Sequence, residues 1–260
     1  MRKAFFLVAI VLVTAGCSTI TDRTSSVGSA AKELVSNAKY ASLLVEIDYP
    51  TGYEPNADAL AAFKEALTQV SGRDAAHILF AQDPSIPAET NRAYSYNDIQ
   101  ALENAHRDKH SGGDTAALYI VYVAGSSEKD TSDGKVLGAA YHGTSIVIFK
   151  GNIKANTGGG GLSTKPQEQY VERAVLIHEF GHAAGLVNLG APMVRDHEDR
   201  MDDPAGRGHS TNPNSVMYWK VENTAGLASI VNCVTGACGA DIPHQFDADD
   251  KADLQALRGR

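Results

Sequence analysis

The sequence predicts an α+β domain built on a mixed, twisted β-sheet, with one long helix packed against the sheet and another helix closing the chain. The first observation is the run AALYIVYVA at residues 116–124, which is apolar enough for a central strand buried on both faces. The second is the order of the segments, because several strands precede a long helical segment at residues 165–185. The third is the pattern of residues 245–259, which places Leu254 and Leu257 on one face of a helix.

Residues 43–49 alternate as a strand does, and residues 57–70 place apolar side chains at helical spacing. Residues 97–110 form a polar helical segment, which we expect to be an insertion or lid rather than part of the core. Three more strands are predicted at residues 77–81, 137–141 and 145–149, the last two turning at His142 and Gly143. We expect residues 150–165, which contain four consecutive glycines, to form a loop beside the long helix.

The long helix has a recognisable start and end. Thr164 followed three residues later by Gln167, with Pro166 in the first turn, is typical of a helix N-terminus. Gly185 allows the chain to turn away sharply after the last turn of the helix. The closing helix in turn has Asp247 as its predicted N-cap.

Inside the long helix, His178, Glu179 and His182 form the pattern H-E-x-x-H. Positions i and i+4 of a helix share one face, with Cβ atoms ~5–6 Å apart, so both imidazoles can bind one metal ion. Neutral imidazole suits zinc, and a carboxylate beside the ion can take a proton from a water molecule. The pattern therefore predicts a zinc centre with Glu179 as a general base. The alternative is that both histidines are buried core residues, because they continue an apolar row on the same helix.

Together with Gly185, this pattern resembles that of the metzincin clan of zinc metallopeptidases, in which a third histidine follows the glycine. The position of that histidine is occupied here by Asn188, and an amide oxygen is a poor zinc ligand beside imidazole. The resemblance thus implies a displaced third ligand, for which we expect His197 from the following segment. Asp196, His209 and Asn188 remain as alternatives.

Residues 214–218 (NSVMY) resemble the Met-turn of the same clan, with Met217 as the apolar floor beneath the histidines. The closing helix is similar to that of matrixin-type catalytic domains. The resemblance covers residues 40–260 and implies one catalytic zinc ion and a protein or peptide substrate. It also implies that an extended substrate adds to the sheet along strand 145–149 or strand 137–141. Accessory calcium stays undecided, because the carboxylates near residue 200 do not follow the EF-hand spacing.

The first residues are typical of an export signal. Arg2 and Lys3 precede a short apolar run, and small residues lead up to Cys17. This exit resembles the lipobox of bacterial lipoproteins, which implies a lipid anchor on Cys17, and Ser18 is typical of sorting to the outer membrane. We therefore expect a signal peptide at residues 1–16, a tether at residues 17–40 and a catalytic domain at residues 41–260, located in the bacterial cell envelope.

The composition restricts the partners. The formal net charge of -8 argues against binding to nucleic acid, and beyond the lipid anchor we expect no membrane contact and a monomer. With Cys17 assigned to the lipid, Cys233 and Cys238 remain as a pair, and an oxidising envelope favours a disulfide between them.

The leading hypothesis from the sequence is a zinc-dependent endopeptidase, anchored by lipid, with His178, His182 and His197 as ligands and Glu179 as the base. An alternative is an inactive or weak metal-binding lipoprotein that binds peptides or proteins, because the third histidine of the pattern is missing at Asn188.

Overall fold

A five-stranded sheet organises the structure, a computed structural model that describes residues 25–158, 165–201, 206–231 and 238–259. The strand order is β2-β1-β4-β7-β6; the first four are mutually parallel, and β6 runs antiparallel to β7 at one edge. These strands are β1 (Ser42–Asp48), β2 (Ile78–Asp83), β4 (Thr115–Val123), β6 (Gly138–His142) and β7 (Ser145–Phe149). A separate two-stranded sheet joins β3 (Ala93–Tyr94) to β5 (Ser126–Ser127).

Seven helices lie in the described ranges. They are α1 (Ala31–Val35), α2 (Ala57–Val70), α3 (Tyr96–His106), α4 (Lys150–Asn156), α5 (Glu168–Ala183), α6 (Thr224–Ile230) and α7 (Ala248–Gly259). The predicted fold class, a mixed sheet with a long helix packed against it and a C-terminal helix, is confirmed. No helix in the described ranges has both the length and the apolar character needed to cross a bilayer.

Strand β4 separates two hydrophobic cores, as its continuous apolar sequence predicts. Leu118, Ile120 and Tyr122 face the larger core, which also contains the apolar sides of α2 and α5. Tyr119 and Val121 face a smaller core on the other side of the sheet. Both sets of side chains are fully buried, so β4 has no solvent-facing side.

Two segments differ from the sequence-based expectations. Helix α3, expected to be a lid rather than core, buries Ile99 in the smaller core and therefore covers one face of the sheet. Helix α4 lies in the segment expected to be a loop. Its Lys150 is buried and ion-pairs with Glu168 and Glu172 of α5. The polar, glycine-containing sequence of α4 does not predict this tertiary contact.

The folded unit includes part of the predicted tether. Leu34 and Val35 of α1 are fully buried in the larger core. The guanidinium of Arg73, also buried, donates hydrogen bonds to the carbonyl oxygens of Leu34, Ser36 and Tyr40 at 2.7–2.8 Å. Packing of the domain thus begins by residue 31, ten residues before the predicted boundary at residue 41.

Candidate metal centre

Helix α5 carries the first two imidazoles of the site. His178 and His182 lie one turn apart, and their Nε2 atoms are 3.1 Å from each other. The Nδ1 atom of His178 lies 2.7 Å from the carbonyl oxygen of Val216, so Nδ1 carries the proton and Nε2 keeps its lone pair. The helical spacing therefore brings the two histidines together as the sequence predicts.

The third imidazole is that of His209. Its ring centroid lies 5.2 Å from that of His178 and 4.9 Å from that of His182. One nitrogen from each of the three rings can be chosen so that all three lie within 4.8 Å of one another. Within the described ranges, this is the group of side chains arranged to hold a metal ion.

The structure does not bring His197, the predicted third ligand, to this group. Its Nε2 atom instead lies 2.9 Å from Oδ2 of Asp253 on α7. Two of the alternatives also lie elsewhere: Asn188 donates a hydrogen bond to Glu198, and Asp196 is exposed and pairs with Arg200. The remaining alternative, His209, is the residue that the fold selects.

The path of the chain after α5 explains this outcome. Gly185 adopts φ of +76°, and the N–H of Ala191 bonds back to its carbonyl oxygen, so the chain turns immediately after the helix. Asn188 lies within this turn, also in the left-handed region, with φ of +67°. The chain then returns through two paired segments, and the second of them carries His209. In the sequence, the one signal that favours His209 as the third histidine of the group is its position shortly before Met217.

The donor set suits zinc. Three imidazoles leave room for a fourth ligand, which is the arrangement of catalytic zinc sites. Burial lowers the pKa of His178 to about 3 and lowers the pKa of His182 well below its ordinary value, so both rings are neutral. Neutral imidazoles with aligned Nε2 atoms are the form that binds a metal ion.

Glu179 lies beside the histidines and is buried. Its Oε2 accepts a hydrogen bond of 2.8 Å from the backbone N–H of Ala140 on β6. Oε1 has no hydrogen-bond partner among the described residues. Burial, with a smaller contribution from Glu222, raises the pKa of the Glu179 carboxyl well above its ordinary value. A carboxyl group held at one oxygen and without a hydrogen-bond partner at the other has an oxygen left to exchange a proton with a molecule bound beside it.

Met217 is fully buried against Gly181 of α5. A Cβ atom on Gly181 would lie 2.2 Å from the Met217 sulfur, so the glycine is what allows this close approach. Two hydrogen bonds of the Ser215 hydroxyl hold this turn. The hydroxyl donates to Oδ2 of Asp250 at 2.6 Å and accepts from the N–H of Met217. Met217 thus forms an apolar floor under the helix turn that carries both histidines.

Of the two strands considered in the sequence, β6 is an edge strand of the sheet, whereas β7 is paired on both sides. The N–H of Phe149 donates a hydrogen bond to the carbonyl oxygen of Leu137. Because hydrogen-bonded and non-hydrogen-bonded pairs alternate along antiparallel strands, the backbone groups of Gly138 and Ala140 point away from β7. The preceding residues 135–137 are covered by residues 222–224. The free stretch of the edge is therefore short and lies next to Glu179.

An apolar cavity of about 360 Å³ opens on the other face of this edge strand. Gly138, Ala139, Ala140 and Tyr141 of this strand line the cavity. The half-exposed Tyr96 stands at the opening, where its hydroxyl lies 2.8 Å from Nε2 of His142. Tyr94, Ile99, Val136 and Phe149 contribute apolar lining, and the charged residues Glu128, Lys129 and Glu222 also border the cavity.

Two other predicted sites concern residues outside the described ranges. Cys17, the predicted lipidation site, is one of them, and Cys233 is the other. Cys238 is buried and disulfide-bonded, while its predicted pairing with Cys233 lies outside the described part of the chain.

The fold and the site together define an α/β domain with a buried three-histidine centre. Among solved structures, archaemetzincin from Methanopyrus kandleri is similar to 87% of this chain and 100% of its own, with a TM-score of 0.45 and 15% identity. Metalloproteinase-II from Bacteroides fragilis matches 86% of this chain with a TM-score of 0.42 and 13% identity, and this chain spans 55% of its length. No protein-family model and no curated protein matches the sequence. With TM-scores below 0.5, function has to be inferred from the residues of this chain.

Proposed function

We propose that this protein is a zinc-dependent endopeptidase in which His178, His182 and His209 hold the metal and Glu179 is the general base. The observation that carries the proposal is the convergence of three buried imidazoles, with ligand nitrogens within 4.8 Å, beside a buried carboxyl group with one oxygen that has no hydrogen-bond partner among the described residues. Core histidines, the alternative interpretation, would each be satisfied by a separate partner. Here the Nε2 atoms of His178 and His182 instead face each other.

Each residue of the site has a separate role in the hydrolysis of a peptide bond. Zinc, when bound, supplies Lewis acidity toward a water molecule and toward the scissile carbonyl group. Glu179 accepts one proton from the attacking water, whose oxygen forms a bond to the carbonyl carbon. As the C–N bond breaks, Glu179 delivers that proton to the leaving amine. The Ala140 N–H holds Oε2 in place, so Oε1 is the oxygen that serves as the base.

The substrate that fits this geometry is an extended peptide. Gly138 and the carbonyl group of Ala140 offer outward-facing backbone groups at the sheet edge, to which a peptide strand can add by main-chain hydrogen bonds, while the Ala140 N–H stays with Glu179. Successive side chains of such a strand point to opposite faces of the sheet. One set would face the histidines, and the other would face the apolar cavity above Ala139. We therefore propose that substrates carry a large apolar residue close to the cleaved bond.

We also propose that the protein acts in the bacterial cell envelope as a monomer anchored through a lipid on Cys17. The support is the charged start, short apolar run and small-residue exit before that cysteine. Mass spectrometry of the purified protein tests the anchor. An acyl chain on an N-terminal Cys17 is expected, and an unmodified N-terminus would refute it.

The test of the activity is cleavage of a peptide library by the zinc-loaded protein, with Glu179→Gln as the matched variant. Loss of a general base lowers turnover by about 10²–10⁴-fold. We expect that loss, with zinc still bound at a stoichiometry of one. A protein that binds zinc and peptides but cleaves nothing would instead be the binding lipoprotein considered from the sequence. Equal cleavage by both forms would exclude Glu179 as the base.

A further inference from the structure

His197 is tied to helix α7 through a buried carboxylate. Its ring is buried, and its Nε2 atom lies 2.9 Å from Oδ2 of Asp253, which is itself fully buried. The other oxygen of Asp253 accepts a hydrogen bond of 2.6 Å from the N–H of Val194. One aspartate on α7 therefore holds the chain segment before residue 199 at two points.

The backbone of this segment pairs directly with the segment that carries His209. Thr211 donates its N–H to the carbonyl oxygen of His197 at 2.9 Å, and Asp199 donates to the carbonyl oxygen of His209 at 2.8 Å. Glu198 and Ser210 form the bridge between these two bonds. Two hydrogen bonds therefore couple the position of His197 to the backbone of residues 209–211, and one of them ends on the carbonyl oxygen of His209.

The other side of the His209 segment contacts the turn below the metal centre. Ser210 donates its N–H to the carbonyl oxygen of Met217 at 2.8 Å. That turn is attached to Asp250, one turn before Asp253 on the same helix, through the hydroxyl of Ser215. The segment that carries His209 therefore lies between the His197 segment, which Asp253 binds, and the Met217 turn, which Asp250 binds.

The three imidazoles differ in what fixes them. His178 and His182 are positioned by the geometry of one helix. His209 follows His182 by 27 residues in the sequence, so nothing local sets its distance from the other two. A binding site must hold its groups within about 0.5 Å, and this requires support from residues behind the ligands.

We propose that His197 is a positioning residue, which holds His209 at the metal centre by its bond to Asp253 without binding the metal itself. This inference rests on the proposed zinc site. It assigns a different role to the histidine that the sequence suggested as the third ligand. The residue acts through the paired backbones of residues 197–199 and 209–211.

The experiment compares His197→Leu with His197→Gln in the full chain. The leucine fills space but cannot donate to Asp253, whereas the glutamine amide can replace Nε2 as the donor. His77→Leu is the matched control, because His77 is an exposed histidine that also contacts an aspartate, Asp74. Zinc affinity is measured by competition with a chromophoric chelator, and the coordination geometry by the visible absorption of the cobalt-substituted protein.

Loss of a contact behind a metal ligand typically lowers metal affinity by about 10–100-fold. We expect a loss in that range and an altered cobalt spectrum for His197→Leu, with both close to wild type for His197→Gln and His77→Leu. Because His197 acts through His209, adding His197→Leu to His209→Ala should lower the affinity no further. If His197→Leu does not fold, Asp253→Asn against His197→Gln provides the same comparison.

Wild-type affinity and spectrum in His197→Leu, with binding lost in His209→Ala, would overturn this inference and leave the zinc site intact. A protein that binds no zinc at all, or that is unaffected by His209→Ala, would instead refute the proposed site itself. A third outcome also contradicts the inference: if His197→Gln is as defective as His197→Leu while His209→Ala binds normally, His197 is a ligand.

Discussion

Ala140 donates its backbone N–H to Oε2 of Glu179 across a distance of 2.8 Å. The edge strand of the sheet and the carboxylate of the active-site helix are therefore joined directly. In an edge strand, the backbone groups that point outward are the ones available to a peptide partner. The proposed base is thus attached to the surface on which the proposed substrate lies.

Replacement of His209 by alanine tests the third ligand that the structure selects. We predict a loss of zinc affinity larger than the ~10–100-fold expected for a contact behind a ligand, because a metal–nitrogen bond is removed. The measurement is chelator competition on the purified protein. Asn188→Gly, at the position of the third histidine in the metzincin pattern, is the control and should bind zinc normally, because glycine tolerates the left-handed backbone at this position. A strong defect in the control would contradict the geometry.

Gly138→Ala tests how closely the edge strand approaches the helix. The added Cβ would lie 2.7 Å from Val175 Cγ1 and 2.9 Å from Glu179 Cγ, so the strand or the base must move. Overpacking of this kind costs about 1–3 kcal/mol, and we predict that kcat/KM falls together with the free energy of unfolding. Gly112→Ala is the matched control, because its Cβ would meet no atom within 4 Å. Unchanged cleavage by Gly138→Ala would show that the strand tolerates displacement.

Ala139→Leu tests the apolar cavity above the edge strand. The larger side chain would occupy space that we assign to a large apolar residue of the substrate. We predict that kcat/KM falls by about 10–200-fold for peptides with such a residue, which is the range for an apolar pocket that no longer fits its group. Peptides with alanine at the same position should be cleaved at nearly the wild-type rate. An equal loss for both peptides would exclude the cavity as a specificity pocket.

Arg73→Met tests the attachment of α1 to the domain. The substitution removes the donor from four buried carbonyl oxygens, those of Leu34, Ser36, Tyr40 and Ser71. Each unsatisfied buried group costs about 1–3 kcal/mol, so the free energy of unfolding should fall by at least that amount. Urea denaturation gives the value. Arg92→Met, an exposed arginine in surface ion pairs, should change stability by less than ~1 kcal/mol.

The parts of the fold that sequence predicts well are those set by local spacing. The i, i+4 relation of His178 and His182 and the uniformly apolar β4 depend only on the repeat of a helix and a strand. The N-cap of α7 is local as well, and Asp247 accepts the N–H groups of Asp249 and Asp250 as expected. These features need no knowledge of the tertiary structure.

What the sequence could not decide depends on contacts between distant segments. His197 lies nearer in sequence to the helix than His209, yet the return of the chain after Gly185 presents His209 to the site. Likewise, which of β6 and β7 is the edge strand follows from the pairing of β7 with β4. Helix α4 was missed because its main anchor, Lys150 against Glu172, is a tertiary ion pair.

The two aspartates of α7 have a consequence for the order in which the protein becomes functional. His178 and His182 are positioned as soon as α5 forms, whereas under the role proposed for His197 the position of His209 also requires Asp253, which lies 44 residues later in the sequence. Contacts over such separations form late in folding, because the loop between them must close first. During synthesis and refolding the chain would pass through a stage that holds metal by one helix alone, and the complete centre would appear only when the last helix docks.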